Sequence, residues 1–141
     1  MASARTMPWK RAPFLPDNIL MPPEEHPIKN RLERHDLESF TKGWFVGNFN
    51  PTILASDAVE VAIKHYKAGD HEASHHHKVA TELTAIVSGR VRMAGEEIGP
   101  GEIVKLVPGQ SSDFTALTDV VTVVVKMPCV AGDKYPDNAQ P

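Results

Sequence analysis

The chain has 141 residues, a formal net charge of -3 and a single cysteine. That length fits one domain with a core of its own, and one cysteine excludes an intrachain disulfide framework. With no basic stripe there is no footprint for nucleic acid or an anionic membrane surface. The longest apolar run, "DVVTVVVKMP", is far shorter than a membrane span. The N-terminal "MASARTMPWKRAPFLP" has no continuous apolar leader segment. These features predict a cytoplasmic protein whose partner is a small molecule or a second copy of itself.

In chain order, the first signal is proline. Six of the twelve prolines lie within the first 27 residues. Proline cannot donate to a ladder or continue a helix. Residues 1–42 are therefore expected to form an extended arm. Its Trp9, Phe14, Leu15, Ile19 and Leu20 have apolar surface to bury, against the arm's own barrel or against the partner in a homodimer. His26 and His35 need no special role. Within the arm, "IKNRLERHDLESF" carries no clean helical stripe, and only a short helix or turn is expected there.

From Gly43 the pattern changes to short β-rich runs. "GWFVGNF" reads as a strand, with Trp44, Phe45 and Phe49 in a core or cavity wall. "AVEVAIKHY" alternates with period two. "TELTAIVSG", "RVRM", "IVKLV", "DFTAL" and "VVTVVVKM" follow, separated by "AGD", "AGEE", "GPGE" and "PG" turns. Many short strands with glycine and proline punctuation and no long helix predict an all-β sandwich or barrel over residues 43–128. Residues 129–141 read as a C-terminal tail. Cys129 reads as a small apolar residue rather than a nucleophile. The interior is expected to be apolar, from Val61, Ile63, Ile86, Val91, Ile103, Leu106, Val121 and Val123. There is no phosphate-cradling glycine loop and no dinucleotide fingerprint.

Four of the seven histidines fall between His71 and His77. On a strand, alternate side chains share a face. His75 and His77 would then point together, with His76 turned away. If the chain bends after His77, Glu82 can return toward the pair. Two imidazoles and a carboxylate suit iron, manganese, zinc, nickel or copper better than calcium or magnesium. His71, in the loop before the pair, reads as solvated. Thr81, Thr84, Ser74 and Ser88 are the nearby groups able to orient the ligands.

The stretch "GDHEASHHHKVATELTAIVSG" resembles the first motif of the cupin family, G-x5-H-x-H-x(3,4)-E-x6-G. Gly69, His75, His77, Glu82 and Gly89 occupy its fixed positions. The resemblance covers roughly residues 57–128. It implies a double-stranded β-helix, or jelly-roll barrel, with His75, His77 and Glu82 holding a divalent transition metal inside. It also implies a small-molecule substrate and, in small cupins, a homodimer. The second motif, G-x5-P-x-G-x2-H-x3-N, is only partly kept. Gly101 and Gly109 are present, with Pro108 directly before the latter, but Ser112 stands where the third metal histidine is expected and Ala116 where the asparagine is.

Three readings follow from that substitution. A three-ligand site would leave open positions, as in non-haem iron oxygenases. Asp113 could supply a fourth ligand if a bulge turned it inward. Alternatively, the site is metal-free and works by acid–base chemistry, with His65 and Tyr66 as candidates. The expected function is a metal-dependent dioxygenase, isomerase or lyase on a small polar molecule; the competing class is a non-catalytic, metal-free module binding a sugar or similar ligand.

Overall fold

The computed structural model describes residues 31–138. The chain divides into two units, 1–34 and 35–141, and every described strand belongs to the second. The arm expected over residues 1–42 lies outside the described residues as far as position 30. Where a short helix or turn was expected, two 3-10 turns form, Leu37–Ser39 and Thr41–Gly43. No helix among the described residues is long and apolar enough to cross a membrane.

Ten strands follow among the described residues: β1 (Trp44–Val46), β2 (Glu60–Tyr66), β3 (His71–His76), β4 (Thr81–Ser88), β5 (Val91–Met93), β6 (Glu96–Ile98), β7 (Ile103–Leu106), β8 (Ser112–Ala116), β9 (Val120–Met127) and β10 (Tyr135–Pro136). They build two five-stranded sheets, in the orders β1-β2-β9-β4-β7 and β10-β3-β8-β5-β6. All strand pairs are antiparallel. The β-branched run of β9 suits its central place, paired with β2 on one side and β4 on the other. "GEE", read as a turn, contributes β6, and the tail contributes β10.

The inner faces of the two sheets meet in an apolar cluster of Ile86, Val91, Met93, Phe114, Ala116 and Val120. Gly89, the last glycine of the histidine motif, closes the turn that feeds this cluster. Its φ of +84° favours glycine, and a Cβ there would collide with the carbonyl oxygen of Asp119.

The interior is not the apolar one expected, because the strand periodicity is right but two faces are inverted. On β2, Glu60 and Ala62 are buried, while Val61 and Ile63 are half-buried on the outer face. On β9, Val120, Thr122 and Val124 are buried, while Val121 and Val123 face outward. Ile103 is 67% exposed. Ile86, Val91 and Leu106 do lie inside, the last against a cavity. Hydrophobicity alone chose the wrong face because the polar residues on the other face are paired with one another, which offsets the cost of burying them.

The segment after β9 straps back across β3. Tyr135 and Pro136 pair with His76 and His75. The carboxylate of Asp133 accepts the backbone N–H groups of Lys78, Val79 and Ala80, at 2.8–3.2 Å. Asp137 accepts hydrogen bonds from the Ser74 hydroxyl (2.6 Å) and from His76 Nδ1 (2.7 Å). Those two donors hold the Asp137 carboxyl down to about 2.

Two outcomes are expected. Ile86→Ala removes a 1% exposed side chain from the cluster and should lower stability by about 2–5 kcal/mol in denaturant melts. The folded pKa of Asp137 lies below its ordinary value of 3.8. Its contribution is therefore present above that value and is lost as pH falls toward about 2. Tyr135 and His76 resonances should report release of the strap in that window, and Asp137→Asn should reduce the pH dependence there, leaving the part carried by Asp133, whose carboxyl is also held low by the backbone N–H groups it accepts.

Candidate metal centre in the barrel cavity

A cavity of about 530 Å³ opens at the polar end of the barrel, within the size range of small-molecule sites. His75, His77, Glu82 and Ser112 all line it. A bulge in β3 makes this possible. The register with β8 runs His71↔Thr115, Glu72↔Phe114, then His75↔Ser112, with a shift between Glu72 and His75. Without it, Glu72 would share a face with Ser74 and His76. The extra residue flips the parity, so Glu72 and the His75/His77 pair all face the cavity. His76 turns outward, stacks on Tyr135 (ring centroids 5.6 Å) and bonds Asp137. The alternation expected within "HHH" is therefore what forms.

His77 is the most constrained of the group. It is buried, and its Nδ1–H donates to the carbonyl of Asp133. Its Nε2 lies 2.9 Å from Glu82 Oε2. The other Glu82 oxygen accepts from the Thr84 hydroxyl at 2.9 Å. Of the orienting groups expected, only Thr84 reaches a ligand. Ser74 serves the strap, and the Asp133 carbonyl, 56 residues away in sequence, was not foreseen. The hydrogen bond from His77 to Glu82 raises the imidazole pKa, against its burial. Burial pushes the Glu82 carboxyl up, but the His77 and Thr84 bonds outweigh it and leave it below its ordinary range.

His75 sits edge-on to His77, ring centroids 5.3 Å apart, with its Nδ1 on the carbonyl of Ala73 at 3.0 Å. Among the described residues, no three His, Cys, Asp or Glu side chains are gathered tightly enough to hold an ion as they stand. Two of the three donors nevertheless have a spacing a metal would use. Ligands about 2.1 Å from an ion and at right angles lie about 3 Å apart, close to the 2.9 Å between His77 Nε2 and Glu82 Oε2. Moreover, a neutral His77 with Nδ1–H on Asp133 turns its Nε2 lone pair toward a carboxylate. Something positive has to sit between them: a proton or a metal ion.

Ser112, in the third histidine's place, donates to the Asp113 carbonyl at 2.7 Å. The Asp113 carboxylate accepts the Ala94 N–H at 2.9 Å, so no bulge turns it into the centre. His71 is exposed and bonds Thr115. His65 is exposed and outside the cavity, so only Tyr66 of that candidate pair faces inward.

The cavity holds further charged groups that the sequence reading did not single out. Lys126 bonds Glu60 (2.6 Å), Lys64 lies 3.8 Å from Glu72, and the Tyr66 hydroxyl donates to Glu72 (3.1 Å). Both ammoniums sit over the ring of Trp44, at 4.9 and 5.3 Å from its centre. Burial, then Glu72, raises the Tyr66 hydroxyl pKa, keeping it protonated, and burial lowers that of Lys64. The available signal was period two itself. Glu60, Lys64 and Tyr66 share one face of β2, and Thr122 and Lys126 share one face of β9.

No protein-family model matches the sequence, and no curated protein matches it. Solved structures do. An uncharacterized conserved protein with a double-stranded β-helix domain from Klebsiella pneumoniae is 18% identical, with a TM-score of 0.58 over 80% of this chain and 96% of that one. The polyketide cyclase RemF from Streptomyces resistomycificus is 16% identical, with a TM-score of 0.53 over 60% of this chain and 64% of its own. Oxalate decarboxylase from Bacillus subtilis, a protein with Mn(II) centres, is 17% identical; its TM-score is 0.52 over 57% of this chain and 24% of its own. At such identities the likeness is one of fold, and together with the sheet order it makes this chain a double-stranded β-helix, the fold of a small cupin domain.

Proposed function

We propose that this chain binds a divalent transition metal through His75, His77 and Glu82 and is a metal-dependent enzyme acting on a small polar molecule in the barrel cavity. The observation that carries the reading is the buried His77–Glu82 pair, with its facing Nε2 and Oε2 atoms 2.9 Å apart. The Asp133 carbonyl fixes the imidazole tautomer, so that Nε2 is the free nitrogen, as a ligand histidine requires. Thr84 holds the second carboxylate oxygen. His75, whose Nδ1 likewise lies on a backbone carbonyl, that of Ala73, would supply the third donor. A bound ion would supply Lewis-acid polarisation or dioxygen activation, the chemistry of an isomerase, lyase or dioxygenase. The protein's own contribution is positional. Trp44, Phe49 and Leu106 provide apolar wall, Tyr66 keeps its proton, and Ser112 leaves room where a third imidazole would stand.

A second reading is supported by the direct His77–Glu82 hydrogen bond and by the dispersal of the donors. On that reading a proton holds the pair together, and the cavity binds its ligand without metal. Elemental analysis of untagged protein, produced in metal-supplemented medium, separates the two. The metal reading expects about one transition metal per chain. His75→Ala, His77→Ala and Glu82→Ala should lose it, and His76→Ala should keep it. Metal-free wild-type protein would sink the proposal. Equal loss in His76→Ala would overturn the assignment of faces.

A further inference from the structure

We infer that the wall formed by Lys64, Lys126 and Trp44 is an anion subsite, and that the molecule taken up beside the metal carries a carboxylate. This deepens the proposed function and rests on it. Three observations carry the inference.

The first is where the lysines sit. Across the sheet, Glu60, Lys126 and Glu82 are in register on β2, β9 and β4. Lys126 is therefore the direct cross-strand neighbour of the proposed metal ligand, within reach of anything bound at the ion. Lys64 lies further in on the same inner face of the sheet, and both ammoniums meet over Trp44.

The second is charge. With the ion absent, Lys126 has carboxylates on both sides. A divalent ion would claim Glu82, leaving Lys126 only Glu60. The cavity lining then holds Lys42, Lys64, Lys126, Lys134 and a divalent ion against Glu60, Glu72, Glu82, Asp113 and Asp133. One positive charge is left unbalanced in a half-enclosed site, where uncompensated charge is costly. One carboxylate on the substrate neutralises it. A neutral sugar does not.

The third is an orphaned hydroxyl. Thr122 is 0% exposed, lines the cavity and is in register with Lys64. Its Oγ1 is the one buried side-chain polar atom among the described residues without a partner. Native interiors rarely leave such a group unpaired. On the same cavity wall as Lys64, it is a donor free to serve an anionic oxygen.

Benzoate and benzamide test this, because they share shape and differ in charge, and neither chelates a metal strongly. Full-length untagged protein of measured metal content is titrated with each by calorimetry. Benzoate should bind about tenfold or more tightly than benzamide, the worth of a charged hydrogen bond. Lys126→Met and Lys64→Met should each lose about that factor for benzoate, with benzamide affinity and metal content unchanged. If a lone lysine substitution unfolds the protein by stranding its carboxylate, Lys126→Met/Glu60→Gln and Lys64→Met/Glu72→Gln remove both charges of the pair. Equal affinity for the two compounds, no benzoate binding at millimolar concentration, or benzoate affinity indifferent to both lysines would overturn the inference. Metal-bearing protein that fails these tests refutes the anion subsite alone. Metal-free wild-type protein refutes the proposed function, and the lysine variants then still decide whether an anion binds here.

Discussion

The interior of this barrel depends on one buried imidazole. His77 is gripped at both ring nitrogens, by the Asp133 carbonyl on one side and by Glu82 on the other. The first grip ties the C-terminal strap to the end of β3, and the second ties β3's end to the start of β4. The Asp133 carboxylate adds the backbone N–H groups of residues 78–80. One short loop is thereby held from two directions, and the bend that returns Glu82 to the histidines is a consequence. A buried polar group needs partners to be tolerable; here those partners also aim it.

Along each central strand the inward row changes character. On β4 it runs Glu82, Thr84, Ile86. On β9 it runs Lys126, Val124, Thr122, Val120, and on β8 Ser112, Phe114, Ala116. One end of the barrel is a close-packed apolar plug and the other a charged cavity. The plug supplies the stability, so the cavity need not be filled with hydrocarbon. The cost of burying its lysines and carboxylates is reduced by pairing them: Lys126 with Glu60, Lys64 with Glu72, His77 with Glu82. Such pairs contribute little net stability. They are better understood as a lattice of charges whose balance a ligand can change.

The bulge in β3 matters in the same way. Strict alternation would separate Glu72 from the histidine pair by placing them on opposite faces. One extra residue puts a carboxylate, two imidazoles and, through β2, Lys64 and Tyr66 around a common space. The substitution at Ser112 then reads as a change in what fills that space rather than in how it is built. Ser112 still pairs with His75 in register, but its hydroxyl is turned onto its own strand.

The sequence by itself determined the fold class, because turn glycines and period-two runs are local signals that the tertiary structure has only to honour. It also determined that His75 and His77 share a face while His76 does not, since two residues apart on a strand means the same side. It could not determine which face of β2 or β9 is inside. Val61, Ile63, Val121 and Val123 are the more hydrophobic choice, and they lost because Glu60, Lys64 and Lys126 find their counter-charges only across strands. Nor could it place the Asp133 carbonyl on His77, a contact spanning 56 residues whose acceptor is backbone and so leaves no mark in the side-chain pattern. The boundary between the two follows the range of the interaction: what depends on neighbours in sequence could be read directly, and what depends on pairing across the barrel was decided only when the sheets closed.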